Sequence, residues 1–409
     1  MPWPIVVAFS GGGDSLALVR AAKAWADGAG RRLIAVTIDH GIRPEGAAWA
    51  AWCQARAAAL GVAFVSVRWE GEKPANGLAA AAREARHRLI AGIAREADAR
   101  VILMGHTADD GLEAAVMREH GARVSAPRIW SPSPVWPGGR GLFILRPLLG
   151  LRRAAIRACL SEVGESWIED PANVDPAQPR ARARAAIDGG GQPPAPLAAL
   201  DLTALLTAAE VGLAGDLAIA RPAFAGAAAP ARRAFLAAAL ACVAGTDQAP
   251  RGRSVRTLAD RIVDGDDFVA TLTGARLSSA GATIRIVRES RQRGGAASAP
   301  VDLPPGRCVA WDGRFELRAH ADGLSARPLA GVARRLPMME RRELRRLDPA
   351  GRRAAPAVTG ADGRVTCPIL AGDPRVAVRC LVGDRLAGAC GAIPDEATLC
   401  RVAKTAAAS

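Results

Sequence analysis

Residues 5–15, Ile5-Val6-Val7-Ala8-Phe9-Ser10-Gly11-Gly12-Gly13-Asp14-Ser15, decide the fold. A short apolar run ends in a polar glycine loop, and an amphipathic pattern from Asp14 to Asp27 follows at once. That order reads as strand, loop, helix. A phosphate needs backbone N–H donors and the positive end of a helix dipole, and this arrangement supplies both. Three successive glycines let the backbone approach a ligand with no Cβ in the way. Ser10 and Ser15 add hydroxyl donors. Asp14 is expected to cap the helix and to orient a magnesium ion. The loop has neither the Gly-Lys-Ser/Thr ending of a Walker A motif nor the G-x-G-x-x-G spacing of a dinucleotide-binding turn.

Outward from this loop the alternation continues to about residue 120. Strands are expected at Arg32–Asp39, Val62–Trp69 and Val101–Met104, and helices at Glu45–Leu60, Gly77–Ala97 and Ala108–His120. Strand–helix alternation argues an α/β fold, an N-terminal parallel sheet flanked by helices. Ligands of such sheets sit at the carboxyl ends of the strands. Residues 121–145, with Pro127, Pro132, Pro134 and Pro137, read as a surface loop. Arg152–Val163 reads as a helix. Stretches rich in glycine and small residues, Gly189–Pro196 and Arg293–Pro300, read as linkers. They divide the chain into residues 1–188, a mainly helical part at 197–292 closing in a Phe268–Val287 hairpin, and a small α+β part at 301–409.

Composition bounds the function. Lys and Arg number 54 against 40 Asp and Glu, a formal net charge of +14 carried almost wholly by arginine. Such a balance suits a polyanionic partner. Between Arg334 and Arg353 eight arginines stand against Glu340, Glu343 and Asp348. No apolar run is long enough to span a membrane, and the N-terminus has no basic segment ahead of a long apolar one, so a cytoplasmic protein is expected. None of the 8 cysteines forms a Cys-x-x-Cys pair, which fits reduced core residues.

Four further polar motifs follow the loop. Thr37-Ile38-Asp39-His40-Gly41-Ile42-Arg43-Pro44 closes the second strand, with Asp39 a candidate to orient substrate or metal. In Ala82-Arg83-Glu84-Ala85-Arg86-His87, Arg83 and His87 share a helix face, for which a solvated surface is explanation enough. In Gly105-His106-Thr107-Ala108-Asp109-Asp110-Gly111-Leu112-Glu113 two acids open a helix, where the dipole favours them. His106 and Glu113 make this cluster larger than a cap needs, and Asp110 with Glu113 at i, i+3 forms a cradle for an ammonium group. The fifth motif, Glu169-Asp170-Pro171-Ala172-Asn173-Val174-Asp175, is a turn followed by Arg180, Arg182 and Arg184, which either grip phosphates or face solvent.

Ser-Gly-Gly-x-Asp-Ser directly after a first strand resembles the PP-loop of the ATP pyrophosphatase superfamily. All five motifs, in order across about residues 5–185, are similar to those of the tRNA(Ile)-lysidine synthetase family. The resemblance implies that Ser10, Gly11, Gly12, Gly13, Asp14 and Ser15 hold ATP, with Mg2+ on Asp14. It implies adenylation of the C2 oxygen of the wobble cytidine in an isoleucine tRNA with a CAU anticodon. Free L-lysine then displaces AMP to give lysidine. Asp110 and Glu113 would hold the lysine, Asp39, His106 and Asp110 would serve catalysis, and Arg83, Arg180, Arg182 and Arg184 would touch tRNA. The basic C-terminal part would dock tRNA, and a homodimer is left open. The chain departs from the family pattern at Gly111 (usually Gln), Ala114 (usually Thr) and His87 (usually Tyr). The chain carries Arg118-Glu119-His120-Gly121-Ala122 where an Arg-Gly-Ser-Gly loop is common. The nearest rival is a 2-thiolation enzyme of the same superfamily, which typically uses Cys-x-x-Cys pairs. Amide or NAD ligases and a non-catalytic RNA-binding protein are further alternatives.

Overall fold

A computed structural model describes residues 3–122, 124, 126–188, 200–246, 248–289, 300–393 and 396. The linker expected at 189–196 and all but Pro300 of that at 293–300 lie outside the described residues, as do Cys400 and Lys404. The chain forms two compact units, Met1–Ser131 with Leu142–Ala199, and Pro132–Gly141 with Leu200–Ser409.

The first unit runs β1 (Ile5–Ala8), α1 (Gly13–Gly28), β2 (Leu33–Asp39), α2 (Gly46–Ala59), β3 (Ala63–Arg68), α3 (Leu78–Glu96), β4 (Val101–Leu103), α4 (Ala108–Glu119), β5 (Trp130–Pro132), β6 (Phe143–Leu145), α5 (Arg153–Glu162) and α6 (Pro179–Asp188). Its sheet has the order β3-β2-β1-β4-β6-β5. β1 lies parallel to both β2 and β4, β2 to β3, and β4 to β6. β1 and β4 are continuous apolar runs because both faces of a central parallel strand are covered. Val6, Ile34, Val36, Ile90, Ile102 and Ile144 form the buried core on one face. The edge strand β3 is the most exposed. Chain order reverses between β1 and β4, so the loops after these strands flank the crevice where α/β proteins bind ligands.

The surface loop expected over 121–145 needs correction. Phe143 and Ile144 are buried in β6, which pairs with β4 in the register Val101↔Phe143. Three residues are too few to show a period, and the prolines lie outside this strand. Pro132–Gly141 instead belongs to the second unit, where buried Arg140 donates to the Thr246 carbonyl.

The second unit continues α7 (Thr203–Thr207), β7 (Ala209–Val211), β8 (Leu217–Ala220), α8 (Arg221–Gly226), α9 (Ala229–Ala244), α10 (Gly252–Val263), β9 (Phe268–Leu272), β10 (Ala275–Ala280) and β11 (Thr283–Arg288). The Ala/Leu-rich stretch is helical but broken by β7 and β8. The expected hairpin is three strands, in an antiparallel sheet ordered β7-β8-β11-β10-β9. Thr273 (φ 51°) and Gly274 (φ 86°) make the tight turn between β9 and β10. Then come β12 (Val301–Leu303), β13 (Cys308–Trp311), β14 (Phe315–Ala319), β15 (Leu324–Pro328), α11 (Met338–Glu343), β16 (Pro356–Thr359), β17 (Val365–Thr366), β18 (Val376–Cys380) and α12 (Val382–Cys390). These form two small sheets, β12-β15-β16-β17 and β13-β14-β18. Val382, Leu386 and Cys390 of α12 share one buried cluster with Phe235, Leu236 and Leu240 of α9. Residues 200–289 and 300–393 therefore share a core. Around α11 the side chains of Arg334, Arg335, Arg341, Arg342, Arg345, Arg346 and Arg353 are exposed. No helix among the described residues is long and apolar enough to cross a membrane.

Candidate active site

The glycine loop leaves the end of β1 with Gly11 at φ +82°, a conformation that favours glycine. A Cβ on Gly11 would lie 2.5 Å from Ile168 Cδ1 and 3.1 Å from Cys53 Sγ. The loop is held from inside: Ser15 Oγ donates to the Gly12 carbonyl (2.8 Å) and accepts from Ser10 N (3.2 Å). It is held from outside by Ile168 N, which donates to the Gly11 carbonyl (2.9 Å), and by the Trp167 ring lying against Gly13. The N–H groups of Gly11, Gly12 and Gly13 find no acceptor among the described residues. They are the donors at a helix N-terminus that an anion would use. Gly105, at the end of β4, lets that strand approach the loop: a Cβ there would meet the Asp14 carbonyl at 3.0 Å.

Asp14 does not cap α1. Gly12 holds the cap position and Asp14 sits in the first turn, its carboxylate turned to Arg153. Burial pushes the Asp14 carboxyl above its ordinary value, and Arg153 pulls against that rise. Its Oδ2 accepts from Arg153 Nε (3.1 Å), whereas Oδ1 is buried with no partner.

The acids of α4 converge on the same guanidinium. Thr107 caps this helix, and Asp110 Oδ2 accepts from Thr107 N (2.8 Å) and Oγ1 (3.1 Å). Asp110 Oδ2 also lies 3.7 Å from Arg153 Nη2, and Oδ1 3.8 Å from Arg180 Nη1. Asp109 Oδ2 accepts from the Arg153 backbone N–H (2.7 Å), and Oδ1 from Arg152. Glu113 is 1% exposed. Its Oε1 accepts from Arg153 Nη1 (3.2 Å) and Arg184 Nε (2.9 Å), whereas Oε2 is buried without a partner. Asp110 and Glu113 thus lie on α4 ringed by arginines, with Glu113 Oε2 left without a partner.

The other expected residues divide. α6 places Arg180 and Arg184 at i, i+4 on the face towards α4. Arg182 points elsewhere and donates to the Pro176 and Ala177 carbonyls. Arg83 is exposed on α3, within electrostatic range of Asp110 and Arg180. The face it begins is not solvated throughout, because His87 is buried. Burial together with Arg86 and Arg83 lowers the His87 imidazole to about 3. His106 is lowered to about 3 by burial, with Asp110 opposing and Arg146 adding to the fall. Arg146 Nε donates to His106 Nδ1 (3.1 Å), so the neutral ring carries its proton on Nε2. His106 is then a donor and not a free base. Asp39 is engaged locally: its Oδ1 accepts from Gly41 N (2.8 Å) and its Oδ2 lies 3.8 Å from Arg68, which fixes the Asp-His-Gly turn. Arg43 of that turn pairs with Asp170 of the fifth motif (3.5 Å).

Sequence reading missed Arg153, Arg146 and Trp167. Arg153 opens α5 as one arginine in a basic helix start, and nothing local shows that it meets a carboxylate 139 residues away. Trp167 adjoins the Glu169-Asp170 motif, which was the available signal.

The loop, the parallel sheet and the switch-point crevice define the class: a PP-loop protein that uses ATP. The PP-loop domain family model matches residues 3–188. The chain is 42% identical over 399 residues to the tRNA(Ile)-lysidine synthase of Caulobacter vibrioides, covering 96% of this chain and 94% of that protein. It is 38% identical over 292 residues to the tRNA(Ile)-lysidine synthase of Hyphomonas neptunium, covering 68% and 79%. With that of Rhizobium meliloti the identity is 32% over 353 residues, covering 79% and 75%. The chain belongs to the tRNA(Ile)-lysidine synthase family.

Proposed function

We propose that this enzyme joins free L-lysine to the wobble cytidine of an isoleucine tRNA bearing a CAU anticodon. It adenylates the cytidine C2 oxygen with ATP, and the lysine amine then displaces AMP. One observation carries the reading. A glycine loop with unpaired N–H groups adjoins a buried cluster in which Asp14 Oδ1 and Glu113 Oε2 each lack a partner. The first suits the phosphates of ATP, and the two oxygens suit a metal ion and an ammonium group.

Backbone N–H groups of Gly11 to Gly13 hold the leaving pyrophosphate where its charge develops. Mg2+ needs only one or two carboxylates when it shares ATP phosphates; Asp14 Oδ1 would hold it, and it would neutralise phosphate charge. Glu113 Oε2 holds an ammonium group of lysine, with Asp110 beside it. The attacking amine must lose a proton. Arg146 engages the lone pair on His106, so a carboxylate of the cluster takes the proton. His106 Nε2–H donates to substrate instead. Asp39 orders the turn that pairs with Asp170. Arg83, Arg180 and Arg184 present positive charge to tRNA, Arg182 faces solvent on the same helix, and the arginines around α11 dock the rest of the tRNA. The enzyme works in the cytoplasm, where its tRNA, ATP and lysine are.

The test is incorporation of radiolabelled lysine into bulk tRNA with and without ATP. ATP-dependent labelling confined to one isoleucine tRNA is expected. ATP cleavage to AMP with tRNA present but no lysine labelling would move the enzyme to another PP-loop tRNA-modifying reaction.

A further inference from the structure

Arg153 engages the acidic cluster more widely than holding any one ligand requires. Its guanidinium Nε binds Asp14 Oδ2, its Nη1 binds Glu113 Oε1, and its Nη2 faces Asp110 Oδ2, at 3.1, 3.2 and 3.7 Å. Its own backbone N–H binds Asp109 Oδ2. One residue thereby ties the first turn of α1 to the first two turns of α4, and its side chain is only 14% exposed. Each tie to Asp14 and Glu113 uses a single carboxylate oxygen. The second oxygen of each, Asp14 Oδ1 and Glu113 Oε2, is buried and unpartnered. One guanidinium bonded to one oxygen of each carboxylate couples their positions and so restrains the separation of the two free oxygens.

We propose that Arg153 is a positioning residue that sets the distance between the oxygen facing the ATP phosphates and the oxygen facing the lysine ammonium. This rests on the roles given above to Asp14 and Glu113. Adenylation and amine attack must occur on one cytidine, so the two half-sites must keep a common spacing for both steps. Arginine suits the task because its rigid fork spans several carboxylates at once, whereas a lysine is a point charge on a flexible stem. The cost of losing register is large: misplacing reactants by about 1 Å costs about 100-fold in rate.

The test uses the full chain as Arg153→Lys and Arg153→Ala. Equilibrium binding of ATP with Mg2+, and separately of lysine, is measured beside turnover and thermal melting. Arg153→Lys is expected to bind each substrate within about 3-fold of wild type while lysidine turnover falls about 100-fold. Added methylguanidinium should restore part of the turnover of Arg153→Ala and none of that of Arg153→Lys. Full turnover in Arg153→Lys would show that charge alone suffices and would overturn the proposal. So would a loss of binding for one substrate equal to the loss of turnover, which marks an ordinary binding residue. If Arg153→Ala does not fold, Arg153→Lys decides alone. Wild-type protein that fails to label tRNA with lysine would refute the underlying reading and the spacing role with it, whereas failure of the expected Arg153 variant results alone, with wild type active, would refute only the spacing role.

Discussion

Replacing Glu113 by Gln tests the ammonium contact with the least change of shape. Alanine is the wrong substitution, because it strips a partner from Arg153 and Arg184 at once, and breaking a buried ion pair costs about 3–5 kcal/mol of stability. Glutamine keeps the size of the side chain and a carbonyl oxygen to which both arginines can still donate, and removes the carboxylate's negative charge. A hydrogen bond to a charged group contributes about 1.5–3 kcal/mol. At about 1.4 kcal/mol per tenfold, kcat/KM for lysine should fall about 10- to 150-fold. The phosphate cradle does not include Glu113, so tRNA-dependent ATP–pyrophosphate exchange should stay within about 3-fold of wild type. The two assays run on one preparation, with lysine varied in the first and omitted from the second. Equal losses in exchange and in lysine use would refute the assignment, because they would mean that Glu113 supports the whole site and no particular substrate.

Gly11→Ala puts a side chain into left-handed backbone and within 2.5 Å of Ile168 Cδ1; the two effects together should cost roughly 2–4 kcal/mol in urea unfolding, and a change under about 0.5 kcal/mol would show that the loop repacks freely. His87 is held neutral by burial beside Arg86 and Arg83, to about 3. The unfolded chain binds a proton near pH 6.5 that the folded chain refuses, so stability should fall as pH drops below that value, by about 1.4 kcal/mol per unit. His106 is lowered to the same range and contributes to the same window; His87→Gln should reduce the slope by about 1.4 kcal/mol per unit, and an unchanged slope would place its origin elsewhere. Reversing charge at Arg341, Arg342 and Arg345 together should weaken tRNA binding and reduce the slope of log affinity against log salt by about one for each phosphate no longer neutralised. An unaltered slope would leave these arginines as plain surface charge. Deletion of 301–409 is the poorer experiment, since it removes α12 from the core around α9.

Legibility in the sequence varied from element to element. The strand at Ile5–Ala8, the glycine loop and the helices to residue 119 were readable because each shows its period over enough residues, and the loop's glycines mark backbone that must approach a ligand. β6 was not readable: three buried residues show no period, and neighbouring prolines drew the segment into a loop. The arginines at 180, 182 and 184 were recognised as a group, but only a helix separates Arg180 and Arg184, which reach Asp110 and Glu113, from Arg182, which does not.

By itself the sequence determined the chemistry available here: a phosphate-binding loop at the end of the first strand, and paired carboxylates at i, i+3 on one helix. These are local consequences of period and spacing. Tertiary structure alone decided which atoms are left over for substrate. Arg153 lies 139 residues from Asp14 in sequence and occupies one oxygen of each key carboxylate, and Arg146 occupies the lone pair of His106. Whether a polar atom is satisfied depends on groups brought together by packing of the helices on the sheet, and no local pattern encodes that.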